Sequence, residues 1–315
     1  MSLFLKSAEA VILIVLMIVV GFVAGKLKFM KSEHKGFLVK YLINFAVPAM
    51  CVSNVFKQFA QIYWVDLLKL MLIPLLSMTA TFLIALVLVR IFKIEHKKYG
   101  PFVVMCAFSN SIFMGLPICK ELFGETAVPY VIIFYIFNTL LFWTIGVAMI
   151  QRSGDMKNEK PTPLSFMKRL ITPPLVALIV SLALLLFNIS LPEVVITFCD
   201  YLGNTVSPLA LMYVGFIIYE TDLRRFKFEK SFIAVMLMRF LVAPFITVLL
   251  AKLFLIQNMA TNVFTIEAAM PVMTQCVIMS AASGADEQYS ASAMTLSTLL
   301  SFVAVPLIMF ALQYV

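Results

Sequence analysis

Ser109–Gly124, with the sequence SNSIFMGLPICKELFG, falls almost wholly within an apolar run, residues 99–123, that is long enough to cross a bilayer as a helix. Three small polar residues open the stretch, and Gly115 and Pro117 follow them. Glycine weakens a helix and proline removes a backbone donor, so a regular helix is not expected here. Backbone groups freed inside hydrocarbon must be satisfied by protein or by water in a cavity. We therefore predict an interrupted helix at a place that can hold a polar group.

The rest of the composition is that of a polytopic membrane protein. Of the 315 residues, 63% are hydrophobic and 13% are charged, compared with about 25% charged residues in soluble domains. Apolar runs of about 18 residues or more indicate membrane spans, and almost all of this chain lies in such runs or in short connections. We predict ten spans, numbered 1 to 10 in order: 7–25, 36–56, 66–92, 99–120, 127–150, 172–190, 194–219, 231–255, 264–283 and 290–313.

The basic residues predict the topology. The net charge is +8, and most Lys and Arg residues fall in the connections 1/2, 3/4, 5/6 and 7/8, which share one side of the membrane. The positive-inside rule places that side in the cytoplasm. We therefore expect a cytoplasmic-membrane protein with both termini outside and a cytoplasmic loop at 151–171. The positive charge is explained by topology, so no nucleic-acid partner is expected.

Residues typical of catalysis or metal binding are scarce. The two histidines, His34 and His96, lie in lysine-rich connections, and the five cysteines form no CxxC pair. We therefore expect no metal site, no cofactor and no enzymatic activity.

The acidic residues are expected near span ends rather than at mid-depth. Asp66, Glu193, Asp200 and Glu267 all stand close to the ends of predicted spans. A proton antiporter needs a buried titratable carboxylate, so this pattern disfavours that class. A sodium ion held by carbonyl groups stays possible, and the coupling ion, H⁺ or Na⁺, is left open.

The chain contains an internal repeat. A shift of 160 residues aligns Tyr41–Pro48 with Tyr201–Pro208, and the Tyr, Leu, Asn and Pro positions are identical. Five spans in each half is an odd number, so the second half must enter the membrane from the opposite side, as an inverted repeat. A shift of 159 residues pairs Asn138 with Ser297. The repeated Asn and Pro residues are expected to kink spans 2 and 7: Asn44, Pro48, Asn204 and Pro208.

The repeat predicts a second interrupted helix in span 9. There the sequence reads AMPVMTQC over Ala269–Cys276, with Pro271 as the breaking residue. Two interrupted helices that cross near the midplane would present helix N-termini, which favour an anion. The neutral side chains expected to join them in binding a substrate are Asn110, Ser111, Asn138, Thr274, Gln275 and Ser297. The alternative is that each of these side chains bonds a neighbouring helix.

Arg239 is the only basic residue well inside a predicted span. A charge at this depth is a functional hypothesis by default, and the guanidinium could pair with a carboxylate substrate. The alternative is that the side chain reaches the cytoplasmic surface.

Several of these segments resemble the auxin efflux carrier family, which includes plant exporters and bacterial malonate or malate permeases. The resemblance is carried by NSIFMGLP in span 4, the segment from Asn138 in span 5, SPLAL at 207–211, Met270-Pro271, and STL at 297–299. It implies an elevator-like carrier, a homodimer, and a site at the crossing of spans 4 and 9 that Asn110 and Asn138 face. It also implies a scaffold domain (1–60 and 172–222, spans 1, 2, 6 and 7) and a transport domain (66–150 and 228–315, spans 3–5 and 8–10).

Two departures from the plant pattern favour a bacterial-type permease for small carboxylates: Ser109 replaces a proline, and the cytoplasmic loop is short. We therefore expect an all-α secondary transporter of a small organic anion, with the lipid bilayer as its environment. The alternatives are a sodium-coupled organic-anion symporter with a fold like that of bile-acid symporters, or an anion channel.

Overall fold

The structure is a computed structural model that describes residues 2–58, 64–154, 172–187, 189–220, 228–256 and 258–313. Within these ranges all regular secondary structure is helical. Six helices are long and apolar enough to cross a membrane, judged by length and composition. The prediction of an all-helical membrane protein is therefore confirmed. These six helices are Ser32–Lys57, Leu68–Ile91, Glu125–Ser153, Glu193–Glu220, Lys230–Leu253 and Glu287–Leu312, and two shorter apolar helices are Ile12–Lys26 and Pro173–Leu186.

Two further apolar regions are each divided into a pair of short helices. Helix 4a is His96–Ala107, and helix 4b comprises Ser111–Gly115, which has π-helical hydrogen bonding, and Leu116–Phe123. Helix 9a is Asn258–Ala268, and helix 9b is Thr274–Ser283. Residues 108–110 and 269–273 between them are not helical.

The first interruption differs in position from the sequence-based expectation. Gly115 and Pro117 lie inside helix 4b, and the helical conformation is lost before them, at 108–110. Pro117 is the second residue of Leu116–Phe123, the segment that comes directly after the π turn. The π turn before it has the amides of Met114 and Gly115 both bonded to the Asn110 carbonyl, at 3.2 and 3.0 Å. The helix therefore continues through Pro117 and does not end there.

The residues predicted to kink spans 2 and 7 lie in two different local structures. Asn44 lies in the π turn Leu42–Ala46, and helical structure continues through Pro48 in Val47–Gln58. Asn204 instead follows the end of Glu193–Gly203, and Pro208 stands in the first turn of Val206–Glu220.

Spans 1, 2, 6 and 7 pack on one another. Helix Ser2–Lys26 lies along Val206–Glu220. Helix Val47–Gln58 contacts Pro173–Leu186 of span 6 and Glu193–Gly203 of span 7. The contact between spans 1 and 7 is close, since a Cβ on Gly21 would lie 1.9 Å from the Met212 carbonyl oxygen. Small residues at such contacts let two membrane helices approach through their backbones.

Spans 3, 4, 5, 8, 9 and 10 form a second set of contacts. Helix 4a packs on spans 3 and 5, helix 9a on span 8, and helix 9b on span 10. The two sets meet mainly through helix 4b, which contacts spans 1 and 7. There the rings of Phe113 and Tyr213 have centroids 5.3 Å apart.

The outer surface and the two ends of the bundle differ in polarity. Large apolar side chains one turn apart are exposed on the outside, for example Leu241 at 62% and Phe245 at 65%, as expected for side chains that contact lipid. Ion pairs lie at the two ends of the bundle. Among the described residues they include Lys35–Glu220 and Lys98–Glu229 on the side predicted to be cytoplasmic, and Lys57–Asp200 and Lys120–Glu125 on the other side.

Candidate functional site

The two non-helical segments lie side by side. Ser109 and Val272 form an isolated antiparallel bridge, and the Asn110 amide donates to the Pro271 carbonyl at 2.9 Å. Buried backbone groups need partners, and each segment supplies some of the partners of the other. The site is therefore built from two pieces of chain that are more than 150 residues apart in sequence.

Asn138, on span 5, holds the first segment. Its Oδ1 accepts from the Ser109 amide at 3.1 Å, and its Nδ2 donates to the Ser109 carbonyl at 2.9 Å. The side chain is only 2% exposed. One amide side chain thus satisfies both backbone groups of Ser109.

Ser297, on span 10, holds the second segment in a related way. Its hydroxyl accepts from the Val272 amide at 3.0 Å and donates to the Met294 carbonyl at 2.9 Å. Val272 is the bridge partner of Ser109. The two residues that the repeat aligns, Asn138 and Ser297, therefore bind the two partners of one bridge.

Arg239, on span 8, binds the end of helix 9a. Its Nη2 donates to the carbonyls of Ala268 and Met270, both at 2.7 Å, and its Nε donates to Met270 at 2.9 Å. The last carbonyls of a helix have no partner within the helix and carry partial negative charge. The side chain is 1% exposed, so it does not extend to the membrane surface.

A small cavity lies beside the crossing. Its volume is about 10 Å³, which is roughly the space that one water molecule needs. The cavity is therefore closed to an organic anion in this conformation. It is lined by Asn110 and Thr274 from the crossing, Val214, Ile217 and Ile218 from span 7, and Met294, Thr295 and Thr298 from span 10.

Helices 4b and 9b both begin next to this cavity, at Ser111 and Thr274. The first N–H groups of each have no acceptor within their own helix. Ser111 is buried, with its hydroxyl 3.3 Å from that of Ser109. Gln275 is half-buried and does not line the cavity. The structure thus brings Asn110, Ser111 and Thr274 together and leaves Gln275 beside them.

Three residues of this region were not selected from the sequence. Thr295 and Thr298 line the cavity one helical turn apart, and that spacing on a predicted helix is the pattern that could have revealed them. The third, Glu267, is 0% exposed.

The expectation that Glu267 lies near a span end is wrong. Helix 9a begins at Asn258, so Glu267 lies roughly 14 Å along it at 1.5 Å per residue. The polar residues at the start of this helix lower the local hydropathy. The start of span 9 predicted from the sequence, residue 264, is therefore too late. Ala260 and Thr261 are buried among other helices, and this packing supports the extra turns.

A larger cavity of about 170 Å³ lies at the end of the bundle opposite the predicted cytoplasmic side. It separates spans 2 and 7 from helix 4b. Lys120 donates across it to the Asn204 side-chain oxygen at 3.1 Å. Its lining residues are Met50, Ser53, Asn54, Lys57, Lys120, Glu125, Asp200, Gly203 and Asn204.

An all-helical membrane protein in which two pairs of short apolar helices meet at a backbone bridge, beside a small and partly polar cavity, has the features of a membrane transporter. The chain belongs to the membrane transport protein family, the auxin efflux carrier family, whose model matches residues 6–309. The resemblance seen in the sequence is therefore confirmed.

Relatives of similar length are transporters. An uncharacterised transporter of Methanocaldococcus jannaschii is 24% identical over 304 residues, covering 95% of this chain and 96% of that protein. One from Methanothermobacter thermautotrophicus is 25% identical over 310 residues, covering 96% and 98%. The lysosomal cholesterol signaling protein of Mus musculus is 26% identical over 242 residues, which are 71% of this chain and 27% of the mouse protein.

Proposed function

We propose that this protein is a secondary transporter, a permease, that moves a small carboxylate across the cytoplasmic membrane by alternating access. The observation that carries the proposal is the pairing of Ser109 with Val272, after which helices 4b and 9b both begin. Two helix N-termini at one place favour an anion. Membership of a transporter family supports transport as the activity and carries no information on the substrate.

The side chains proposed to bind the substrate are chosen by their position around the cavity. Asn110, Thr274, Thr295 and Thr298 line the cavity and offer amide and hydroxyl donors to a carboxylate, and Ser111 and Gln275 stand next to them. The two non-helical segments are held in place by Asn138, Ser297 and Arg239, none of which lines the cavity. We treat these three as positioning residues, and the Arg239 charge additionally favours an anion at longer range.

The architecture proposed is ten spans in a 5+5 inverted repeat. The six long helices, the two shorter apolar helices and the two divided regions together account for ten. Spans 4 and 9 are the broken, crossing helices. The matching roles of Asn138 and Ser297 support the repeat, because aligned residues bind opposite partners of one bridge.

The motion proposed is elevator-like. Spans 1, 2, 6 and 7 would form a fixed scaffold, and spans 3–5 and 8–10 would carry the site. The cavity at the crossing is too small for a carboxylate, so span 7 and the crossing must separate for one to bind. The separate 170 Å³ cavity lies between the same two groups of helices at one end. The scaffold would also form a homodimer, with both termini of each chain outside.

The first experiment identifies the substrate. Purified protein is heated in detergent with a series of mono- and dicarboxylates, because a ligand that binds the folded state raises the unfolding temperature. Uptake of the labelled compound that stabilises most is then measured in liposomes that contain the protein. Some of these liposomes are preloaded with the unlabelled compound and some are not. A carrier shows saturable flux that the preloaded compound accelerates. Flux that does not saturate indicates a channel, and stabilisation by no carboxylate contradicts the substrate class.

The second experiment tests the site through Asn110→Ala. We expect flux to fall to background while the unfolding temperature without ligand changes little, because Asn110 pairs with Pro271 through its backbone amide. The matched control is Asn44→Ala, an exposed asparagine on span 2 that does not line the cavity. Normal flux in Asn110→Ala would remove this residue from the site.

A further inference from the structure

Glu267 is a buried acid in the last turn of helix 9a. It is 0% exposed. Its Oε1 accepts from the Cys119 thiol, with sulfur and oxygen 3.7 Å apart. Its Oε2 has no hydrogen-bond partner among the residues that the structure describes. An unpartnered carboxyl oxygen at this depth needs a physical explanation.

Helix 4b provides the space that this carboxyl fills. A Cβ on Gly115 would lie 2.3 Å from Oε1 and 2.5 Å from Oε2 of Glu267, so any side chain there would collide with it. Ser111, Gly115 and Cys119 follow one another at intervals of four residues, on one face of the helix. The Ser111 hydroxyl also interacts with the carboxyl. Gly115 therefore has a packing reason that is independent of helix breaking.

The surroundings suit a neutral carboxylic acid better than a carboxylate. A buried charge without a close partner is costly. Arg239 is the basic residue that interacts with Glu267, but its Nε and Nη2 already donate to backbone carbonyls.

Few titratable groups lie near Glu267 on the helices that pack against helix 9a. Cys119 on helix 4b and Arg239 on span 8 interact with the carboxyl. On span 5 the Tyr130 ring packs on Phe264, one turn earlier in helix 9a, with centroids 6.1 Å apart. Lys120 and Glu125, next to the end of helix 4b, pair with each other.

We infer that Glu267 is the proton-binding site of this transporter and that its proton travels with the substrate anion. This inference rests on the proposed function. A proton from water on one side forms the O–H bond of the Glu267 carboxyl, and on the other side that bond breaks and the proton returns to water. A thiol and a glycine against the carboxyl do not provide the oxygen ligands that a hard cation prefers.

The link to the substrate is electrostatic. Ser111 interacts with the carboxyl and is next in sequence to Asn110, which lines the cavity. An anion in the cavity and an ionised Glu267 would repel each other in a medium of low dielectric constant. Anion binding therefore favours protonation of Glu267, and by thermodynamic reciprocity protonation favours anion binding. The two move together, which makes the carrier a proton symporter.

The test uses liposomes that contain the full-length protein and the carboxylate selected by thermal shift. Uptake is measured with and without an acidic exterior, and a pH-sensitive dye reports proton movement. For the wild type we expect faster uptake with the gradient and proton uptake with the anion. Glu267→Gln should still transport, but the ratio of uptake with and without the gradient should fall to unity. Glu287→Gln, which neutralises an exposed carboxylate, is the matched control and should respond like the wild type.

Infrared difference spectroscopy on a pH step tests the carboxyl itself, without transport. The wild type should show a C=O band of a protonated acid that Glu267→Gln lacks and that Cys119→Ser shifts. If Glu267→Gln fails to fold, Cys119→Ser decides both points: the shift of the band decides the assignment of the carboxyl, and a changed gradient response decides its coupling role.

Three results would overturn the inference: absence of the Glu267 band, a gradient response that persists in Glu267→Gln, or wild-type uptake that follows a sodium gradient and ignores pH. Absence of any carboxylate flux in the wild type would contradict the proposed function, and with it the coupling role, even if the band were present.

Discussion

The two interruptions at the crossing are stabilised by different chemistry. Residues 108–110 form a short interruption, and the neutral amide of Asn138 binds both backbone groups of Ser109. Residues 269–273 form a longer one that contains a proline. There Ser297 binds one amide, and the carbonyls of Ala268 and Met270 require Arg239.

This difference shows what determines where charge is found at the site. A short break leaves few backbone groups without partners, so a neutral side chain suffices. The longer break leaves the carbonyls of Ala268, at the helix end, and of Met270, within the break, at one place, and a guanidinium with several donors satisfies them together. The buried guanidinium of Arg239 therefore lies beside the longer break, on the span 8 and span 9 side.

The largest expected effect is that of Arg239→Gln. The substitution leaves helix-terminal carbonyls partly unsatisfied in a buried place, and we expect a loss of about 3 kcal/mol or more in stability. Thermal unfolding of the purified protein in detergent measures it. The control is Arg152→Gln, an exposed arginine at the end of span 5. If Arg239→Gln were as stable as the wild type but failed to bind the carboxylate, Arg239 would be a direct ligand, and its positioning role would be wrong.

A smaller effect is expected for Asn138→Ala. Two hydrogen bonds to Ser109 are lost, and we expect about 1–2 kcal/mol. Asn138→Asp keeps the acceptor for the Ser109 amide but has no donor for its carbonyl when ionised, so it should not restore stability. Thermal unfolding and ligand-induced stabilisation are measured in parallel. Loss of ligand binding with unchanged stability would instead place the Asn138 amide against the substrate.

The smallest effect is expected for Ser297→Ala, which removes one acceptor for the Val272 amide. We expect about 0.5–1 kcal/mol, typical of a single hydrogen bond inside a membrane protein. Ser301→Ala is the control, because that hydroxyl only donates to the Thr298 carbonyl within its own helix. A cost for Ser297→Ala equal to that for Asn138→Ala would show that the two interruptions are stabilised alike, contrary to the comparison.

Local properties of the sequence were sufficient for the class of protein. Hydropathy and run length predict an all-helical membrane protein, and the NSIFMGLP segment points to the transporter family. The pairing of Asn138 with Ser297 was also visible, because a duplicated chain keeps residues in register. The start of span 9 was predicted too late, because polar residues open a buried helix at Asn258.

The details of the site depended on contacts between residues far apart in the chain. The helix ends at Ala107 rather than at Gly115 or Pro117 because Asn138 and Pro271 provide partners for the backbone of Ser109 and Asn110. Gly115 is needed because Glu267 fills the space beside it. The sequence by itself indicated polar and helix-breaking residues inside two apolar regions, since helix-breaking tendency and hydropathy are local. Only the tertiary structure decided which groups satisfy the interruptions and which acid is buried there, since hydrogen bonding and desolvation depend on neighbours that the chain order does not reveal.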